Sequence, residues 1–231
     1  MGHVSTVYTG VLAELGTQIV DGRLAPNSTL TLEGLQTEYS VSRTVAREVV
    51  QVLASMGLVE SRRRTGIRVR PAQDWDHFDQ AVIRWRLEGD SRAALLHELS
   101  QLRAAVEPPS AALAAEHADA GARKEIVRLA EEMETSGAAG DLATFLDLDI
   151  AFHRLLLTAS GNLMFEALGD VVEEVLRGRT DHHLMPAEPK PEARRLHLMV
   201  AEAVAAGDAD VAQAAMHAIC VEVVSEMQRR R

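Results

Sequence analysis

The stretch SVSRTVAREVVQVLASMGLVESRRRTGIRVR, residues 40–70, decides the fold of the first part of the chain. Its first half predicts a helix, because apolar residues recur at helical spacing from Val45 to Met56. Ser42 is a good N-cap for this helix, and Gly57 supplies a stop signal. The first half is therefore expected to form one helix with a buried face.

Two short strands are expected in the second half of the stretch, at Leu58–Glu60 and Ile67–Val69. The turn between them contains three consecutive arginines at 62–64. Upstream, apolar spacing predicts two further helices, over Val7–Val20 and Thr31–Tyr39. A helix, a helix-turn-helix and a wing together make a compact winged fold of about 70 residues.

Arginines mark one surface of this expected winged fold. Arg43 falls in the first turn of the helix, where the helix macrodipole disfavours a cation, and Arg47 follows one turn later. DNA phosphates and guanine edges would offset that cost, since both match arginine bidentately. A solvated charged face explains each arginine singly, but the pattern as a whole favours DNA. The predicted DNA-binding residues are Ser42, Arg43, Thr44, Arg47, Arg62, Arg63, Arg64 and Gly66.

The distribution of charge agrees with a DNA-binding head on an acidic body. The 231 residues carry a net charge of −10, which by itself argues against a nucleic-acid partner. Residues 1–70, however, hold eight arginines against six acids, so the excess of acid lies in the rest of the chain. The single cysteine cannot form an internal disulfide, and no apolar run is long enough to span a membrane. We therefore expect a cytoplasmic protein with no membrane partner.

The pattern beyond residue 70 is helical. A connector and a connecting helix are expected over 71–89, and an antiparallel bundle over 90–231. The expected bundle helices cover residues 91–117, 121–138, 141–159, 162–185, 190–206 and 208–229. The sequence thus predicts a mainly α protein, with a winged helix-turn-helix domain at 1–70 ahead of an all-α bundle.

Four polar residues fall on apolar helix faces of this bundle. Asp149 and His153 are four positions apart and share one face, while His197 and His217 lie among apolar residues on the last two helices. Burying them without partners would cost roughly several kcal/mol, and a divalent metal would satisfy all four. Ordinary hydrogen-bonded core histidines explain the same pattern equally well. Cys220, one turn from His217, is the alternative ligand on the last helix.

The first part of the chain resembles the GntR superfamily of bacterial transcription factors. The similarity rests on Ile19-x2-Gly22-x-Leu24-x-Pro26, Leu30, Leu35, Val41-Ser42-Arg43-Thr44, Arg47-Glu48, Leu53 and Gly57-Leu58-Val59. Asn27 departs from the pattern, because a glycine is usual after the proline.

The second part resembles the FCD ligand-binding domain of the FadR branch of that superfamily. The similarity covers Leu99-x3-Arg103-x3-Glu107-Pro108, Ala114-Ala115, Asp149-x2-Phe152-His153, Gly161-Asn162, His197, Ala203, Gly207-Asp208, Ala212 and Met216-His217. Both patterns occur in the expected order, so the resemblance covers nearly the whole chain.

This resemblance implies a DNA-binding transcriptional regulator, controlled by a small carboxylate, and not an enzyme. In metal-containing members of the family, one aspartate and three histidines hold zinc or nickel. Those positions fall here on Asp149, His153, His197 and His217. Carboxylate effectors of the family dock on the metal and on nearby polar groups, which here are Arg103 and Asn162. The pattern is most like the sugar-acid regulators, which points to an aldonate such as gluconate or galactonate.

A repressor acting as a homodimer on a short inverted repeat of double-stranded DNA is the expected form, because one winged head reads only a few base pairs. The segment around Pro71–Trp75 and the helix after it are expected to transmit effector binding to the heads. Two alternatives remain. One is a metal-dependent hydrolase, weakened because no general base is evident beside the four ligands. The other is a DNA-binding module whose bundle only dimerises.

Overall fold

The computed structural model describes residues 2–62, 66–181 and 190–229, with side chains over 7–61, 66–181 and 190–222. The chain forms two compact units, divided between Leu95 and Leu96. The first unit contains α1 (Gly2–Val20), β1 (Thr29–Leu30), α2 (Leu32–Tyr39), α3 (Arg43–Ser55), β2 (Val59–Arg62), β3 (Gly66–Val69), a 3-10 turn (Ala72–Asp74) and α4 (Gln80–Glu88). Helix α5 (Arg92–His117) begins in the first unit and continues into the second. The second unit continues with α6 (Ala120–Ala138), α7 (Leu142–Ala159), α8 (Leu163–Glu166), α9 (Gly169–Asp181), α10 (Pro191–Ala206) and α11 (Ala209–Arg229).

The helix-turn-helix in the first unit is set by two capping side chains. Thr31 caps α2 by accepting a hydrogen bond from the backbone N–H of Gly34 at 3.0 Å. Ser42 caps α3 by accepting from the N–H of Val45 at 3.3 Å. Each hydroxyl satisfies one of the N–H groups that a helix start leaves without a partner. The two helices therefore begin where the sequence predicts them.

A three-stranded antiparallel sheet, in the order β1-β3-β2, forms the wing side of the first unit. Arg62 pairs with Gly66, so the strands run further toward the wing tip than predicted. The tip, residues 63–65, lies outside the described residues. The short strand β1 was not predicted, because two residues are too few to show an alternating pattern.

The connecting helix packs on the first unit. Trp85 of α4 lies against α1, where a Cβ atom on Gly16 would sit 2.3 Å from the indole ring. Val82 and Trp85 join the apolar core beneath the sheet and α3. Phe78 precedes the helix and is 56% exposed. Glycine at position 16 is thus what permits the close approach of α1 and α4.

Replacing Gly57 tests what stabilises the fold of the first unit. Its φ is +77°, and an added Cβ would lie 2.3 Å from the carbonyl oxygen of Asp74. We expect Gly57→Ala to lower the free energy of unfolding by more than about 1 kcal/mol, since side chains are disfavoured in the left-handed region. Gly10→Ala is the control, because that helical position is open and should gain roughly 0.5–1 kcal/mol. Chemical denaturation measures both, and equal stabilities would contradict the expectation.

The second unit is a helical bundle in which α6 packs on α7 and α10, α10 packs on α11, and α7 packs on α9. Its core is made of fully buried apolar side chains: Ile126, Met133, Phe152, Val200, Val204, Ala212 and Met216.

The prediction of one continuous helix over 162–185 is wrong. The chain turns at residues 167 and 168, between the single turn of α8 and the start of α9 at Gly169, a weak helix former.

One guanidinium joins two helix ends in the bundle. Arg123 donates from Nη2 to the carbonyl of Ala115 at 2.6 Å and from Nε to that of Ala118 at 2.9 Å. Its Nη1 donates to the carbonyls of Val204 and Ala205. These carbonyls lie at the C-terminal ends of α5 and α10, where a helix runs out of N–H partners for its carbonyl groups, and that of Val204 also accepts from the N–H of Gly207. Arg123 therefore clasps the C-terminal ends of α5 and α10.

Within the described part of the chain, no helix combines the length and apolar character needed to cross a membrane.

Candidate functional site

The first candidate surface is the start of α3. Arg43, Thr44 and Arg47 are exposed there, while the opposite face of the helix buries Val45 and Val49 in the core. Within the described residues, neither arginine forms an ion pair, so both guanidinium groups are available to an external anion. The structure therefore presents three of the predicted DNA-binding side chains together on one helix end.

The remaining predicted DNA-binding residues either have a structural role or have side chains outside the described residues. Ser42 acts as the N-cap of α3. Gly66 has a φ of +92°, and a Cβ there would lie 2.7 Å from the carbonyl of Leu30, so the sheet itself requires glycine. The backbone of Arg62 belongs to β2, but its side chain lies outside the described residues, as do Arg63 and Arg64.

The second candidate site lies inside the bundle, where three donor atoms converge. Asp149 and His153 come from α7 and His197 from α10, and each is almost fully buried. Oδ1 of Asp149 lies 3.3 Å from Nε2 of His153 and 3.2 Å from Nε2 of His197. Within the described residues, these three side chains form a group whose donor atoms could bind one metal ion.

The other nitrogen of each imidazole is already occupied. Nδ1 of His153 lies 2.9 Å from Oε2 of Glu107, and Nδ1 of His197 lies 2.7 Å from the carbonyl oxygen of Ala193. A proton on Nδ1 is therefore held by an acceptor in both rings, which leaves Nε2 with its lone pair. This arrangement of outer acceptors is typical of histidines that bind a metal through Nε2.

Two buried atoms in this group lack a partner. Among the described residues, Oδ1 of Asp149 and Nε2 of His197 form no hydrogen bond of acceptable geometry, although they lie 3.2 Å apart. An unsatisfied buried polar atom costs about 1–3 kcal/mol. A divalent cation with nitrogen and oxygen ligands would satisfy both atoms together, so the residues present fit a metal.

Charges around the group favour ionised carboxylates. Burial raises the pKa of Asp149, but the nearby imidazoles of His153 and His197 outweigh it and hold that pKa well below its usual range. Burial lowers the pKa of His153, but the charge of Glu107 raises it and Arg103 lowers it, with a net upward shift. A proton would therefore compete with a metal for Nε2 of His153.

Position 217 does not belong to this group, and the prediction of His217 as a ligand is wrong for the described structure. His217 is exposed, whereas its neighbours Met216 and Cys220 face the core. Cys220, the predicted alternative, lies with Sγ 3.6 Å from Oε2 of Glu107 rather than among the three donors. The apolar residues around His217 in the sequence gave the wrong helix face.

Asn162 remains a predicted effector contact, and its side chain also has a structural role. Its side chain caps α8 by accepting from the N–H of Met164 at 3.0 Å. It follows α7, whose end lies about 9 Å along the helix axis from His153. Its local capping bond explains its place in the chain.

Arg103 reaches the group, as predicted, and is paired there with Glu107, to which the sequence analysis gave no role. It is buried and donates from Nε to Oε1 of Glu107 at 2.6 Å and from Nη2 to Oε2 at 3.0 Å. Nη2 also lies 3.2 Å from Nε2 of His153. Burial lowers the pKa of Arg103, but Glu107 outweighs it and raises that pKa. Nη1 has no hydrogen-bond partner among the described residues and remains available to a ligand.

A second buried arginine was missed by sequence reasoning. Arg179, in the last turn of α9, is 5% exposed. Burial, followed by the charge of Arg103, lowers its pKa to about 10, and the charges of Asp149 and Glu107 act against this. Arg179 therefore lies in the same electrostatic environment as the donor group. The signal in the sequence was an arginine one turn after the apolar pair Val175 and Leu176.

The two units correspond to two known domains. Residues 7–69 match the family described as bacterial regulatory proteins, gntR family, and residues 98–221 match the FCD domain. The chain therefore belongs to the gntR family of bacterial regulators and carries an FCD domain, as the resemblance implied. It is a DNA-binding transcriptional regulator and not an enzyme, which sets the hydrolase alternative aside.

Two relatives and one solved structure are similar to this chain over most of their length. The chain is 30% identical to the galactonate operon transcriptional repressor of Escherichia coli K12 over 207 residues, covering 89% of this chain and 90% of that protein. It is 31% identical to the regulator LutR of Bacillus subtilis, covering 86% and 90%. Among solved structures, the Listeria monocytogenes regulator Lar aligns with a TM-score of 0.61 at 19% identity, covering 100% of this chain and 99% of Lar. That last likeness concerns the fold.

Proposed function

We propose that this protein is a transcriptional repressor whose operator affinity is controlled by a small carboxylate bound at a metal site in the FCD domain. It binds double-stranded operator DNA as a homodimer through α3 and the wing. The observation that carries the proposal is the convergence of Asp149, His153 and His197 with two buried atoms left unsatisfied.

The DNA-binding part rests on the exposed start of α3. Arg43 and Arg47 occupy a position from which arginine side chains reach guanine edges and phosphates. A symmetric dimer would place two such helices on an inverted repeat, one helical turn of DNA apart. Residues 62–64 would add phosphate contacts, which position the head without reading sequence.

The metal part rests on the chemistry of the donors. Two neutral imidazoles and a carboxylate suit zinc or nickel. Such an ion, when bound, supplies open coordination positions that accept a carboxylate oxygen. Glu107 and the carbonyl of Ala193 would keep both imidazoles turned with Nε2 toward the ion.

The effector part rests on the buried arginines. Nη1 of Arg103 is free among the described residues and could donate a charge-assisted hydrogen bond to a carboxylate. The E. coli relative is named for galactonate, and galactonate or gluconate is the effector class that we propose. The alternative hypothesis, a DNA-binding module whose bundle only dimerises, does not explain the unsatisfied donor group.

A mobility-shift assay on the DNA upstream of the protein's own gene tests the whole proposal. Purified protein should retard a short inverted repeat, and D-galactonate or D-gluconate should release it. Effector and operator are coupled sites, so an acid that releases DNA must bind the DNA-bound form more weakly by the same factor. Release by no sugar acid or other small carboxylate would favour the dimerisation module.

The proposed metal site can be tested by comparing two histidine variants. His197→Ala should lower zinc affinity by more than about a hundredfold, because a direct ligand contributes at least as much as an outer-shell partner. His217→Ala should leave zinc affinity unchanged, since His217 is exposed and outside the group. Zinc titration against a chromophoric chelator measures both variants. Equal losses would restore His217 to the ligand set.

A further inference from the structure

The connector that follows the wing is attached to the first unit along its length. The backbone N–H of Asp76 donates to the carbonyl of Met56 at 2.8 Å, and Nε1 of Trp75 donates to the carbonyl of Arg70 at 3.2 Å. Helix α4 then packs on α1 through Trp85. The DNA-binding unit is therefore held together as far as the end of α4.

The junction between α4 and α5 is the next place at which the chain changes direction. Gly89, Asp90 and Ser91 separate the two helices, and Gly89 has an extended backbone with φ of −94° and ψ of −173°. A Cβ atom added to Gly89 would collide with the carboxylate of Asp21, the residue after the end of α1. The junction is thus short and lies directly against the end of α1.

Side chains from the start of α5 close this junction. Oγ of Ser91 donates to the carbonyl of Arg86 at 3.4 Å. The guanidinium of Arg92 donates from Nη2 to the carbonyl of Glu88 at 3.1 Å and from Nε to that of Leu87. These are three of the last four carbonyl groups of α4, for which a helix has no N–H partners of its own. All of these residues belong to the first unit.

The charge of Arg92 explains why it binds the end of α4. Arg92 is the first residue of α5, where the macrodipole of that helix disfavours a cation, whereas the C-terminal end of α4 favours one. The side chain is half-buried, so water competes less for these hydrogen bonds. The planar fork of arginine donors holds two carbonyls at once, which a lysine ammonium on its flexible stem does less well. Arg92 therefore ties the end of one helix to the start of the next.

We propose that Arg92 is a positioning residue that locks the direction of α5 on the first unit, and thereby sets the spacing of the two heads in the dimer. This inference rests on the proposed function, since it takes a homodimer to be the form that binds an inverted repeat. The element that transmits a movement of the bundle is then the junction at residues 89–92, and not the attached connector around Pro71–Trp75.

Arg92→Met tests the lock, because methionine keeps much of the side-chain length but has no hydrogen-bond donor. One DNA duplex carries the inverted repeat that wild-type protein selects from random sequences, and a second has one half-site scrambled. Two rigidly linked heads raise affinity over one head by roughly 10²–10⁴-fold. We expect the variant to lose at least about tenfold of this preference for the complete repeat, while its affinity for a single half-site stays unchanged. Fluorescence anisotropy measures both, and circular dichroism checks folding.

A few extra base pairs between the half-sites give a readout that a general loss of stability does not move. The dimer's geometry fixes the half-site spacing, so wild-type protein should lose affinity on insertion and Arg92→Met should lose clearly less. Arg92→Lys keeps the charge without the fork and should fall between the two, and it carries the same comparison if Arg92→Met does not fold. Arg195→Met, at an exposed arginine of α10, is the matched control and should behave as wild type.

Two results would overturn the lock and leave the homodimer intact. One is Arg92→Met protein that keeps the wild-type preference for the complete repeat and its sensitivity to spacing. The other is an equal loss in Arg195→Met, which would mean a general effect of charge. Wild-type protein that binds the complete repeat no better than one half-site would instead overturn the homodimer of the proposed function, and the lock with it.

Discussion

Glu107→Ala is expected to lower the free energy of unfolding by about 3–5 kcal/mol, because removing one partner of a buried ion pair leaves the other charge buried and uncompensated. Glu107 and Arg103 have side chains that are only 2% and 3% exposed. Glu107 also holds Nδ1 of His153 and lies near the thiol of Cys220. Chemical denaturation with circular dichroism detection measures the loss.

Two controls separate this buried pair from ordinary surface pairs. Glu125→Ala removes the partner of Arg128 in an equally short but exposed pair, and should leave stability unchanged within error. Removing both charges with Arg103→Met and Glu107→Leu should recover much of the loss caused by Glu107→Ala. A loss below about 1 kcal/mol for Glu107→Ala would show that the interior solvates Arg103 in some other way.

The contribution of Glu107 should depend on pH in one direction. Burial raises the pKa of Glu107, but the charges of Arg103 and His153 outweigh it and hold that pKa well below its ordinary value. The ionised carboxylate therefore stabilises the fold above the ordinary glutamate pKa, and this is lost as pH falls toward the folded-state pKa. The stability gap between wild type and Glu107→Ala should narrow in acid, by at most about 1.4 kcal/mol per pH unit. A gap that widened in acid would contradict this sign.

The double variant Arg43→Ala with Arg47→Ala should lose roughly 2–6 kcal/mol of operator binding, taking 1–3 kcal/mol for each arginine that reads a base. Both side chains are exposed on α3, so the melting temperature should change little. Fluorescence anisotropy with operator and with unrelated DNA measures the loss and its sequence dependence.

The matched control for the double variant is Arg128→Ala with Arg195→Ala. These arginines are exposed on α6 and α10. Replacing both removes the same net charge as the double variant, but from the bundle. The control should reduce operator affinity far less than the change in α3. Equal losses would mean that net charge, rather than α3, determines DNA binding.

Much of the first unit could be predicted because its signals are local. Ser42 is a cap that the sequence shows directly, and the structure confirms α2 and α3 and adds Thr31 as the cap of α2. Asn27, the departure after the proline, has a φ of +70°, a conformation that asparagine tolerates better than most residues. The substitution therefore fits the turn that glycine would make.

The bundle was predictable in its helices but only partly in its site. Asp149 and His153 were identified because a spacing of four fixes a common face. His217 was misassigned because small and apolar residues surround that helix on both faces, so periodicity did not show which face is buried. Glu107 was missed because its contact with His153 joins two helices and leaves no trace in local spacing, although its pairing with Arg103 lies within one helix. Arg179 was missed because the charges that act on it lie on other helices.

The clasp made by Arg123 bears on which ions the bundle could select. Arg123 holds the ends of α5 and α10 together, and these helices carry Glu107 and His197. Helices fixed at one end have little freedom to spread, so Glu107, which holds the ring of His153, would stay at a nearly constant distance from His197. The spacing of the two imidazoles around a bound ion would then vary little. Discrimination among cations by size needs such rigidity, because a flexible cage adapts to large and small ions alike. If the proposed site binds a metal, any preference for small transition ions over calcium would thus depend on helix ends as well as on the ligands.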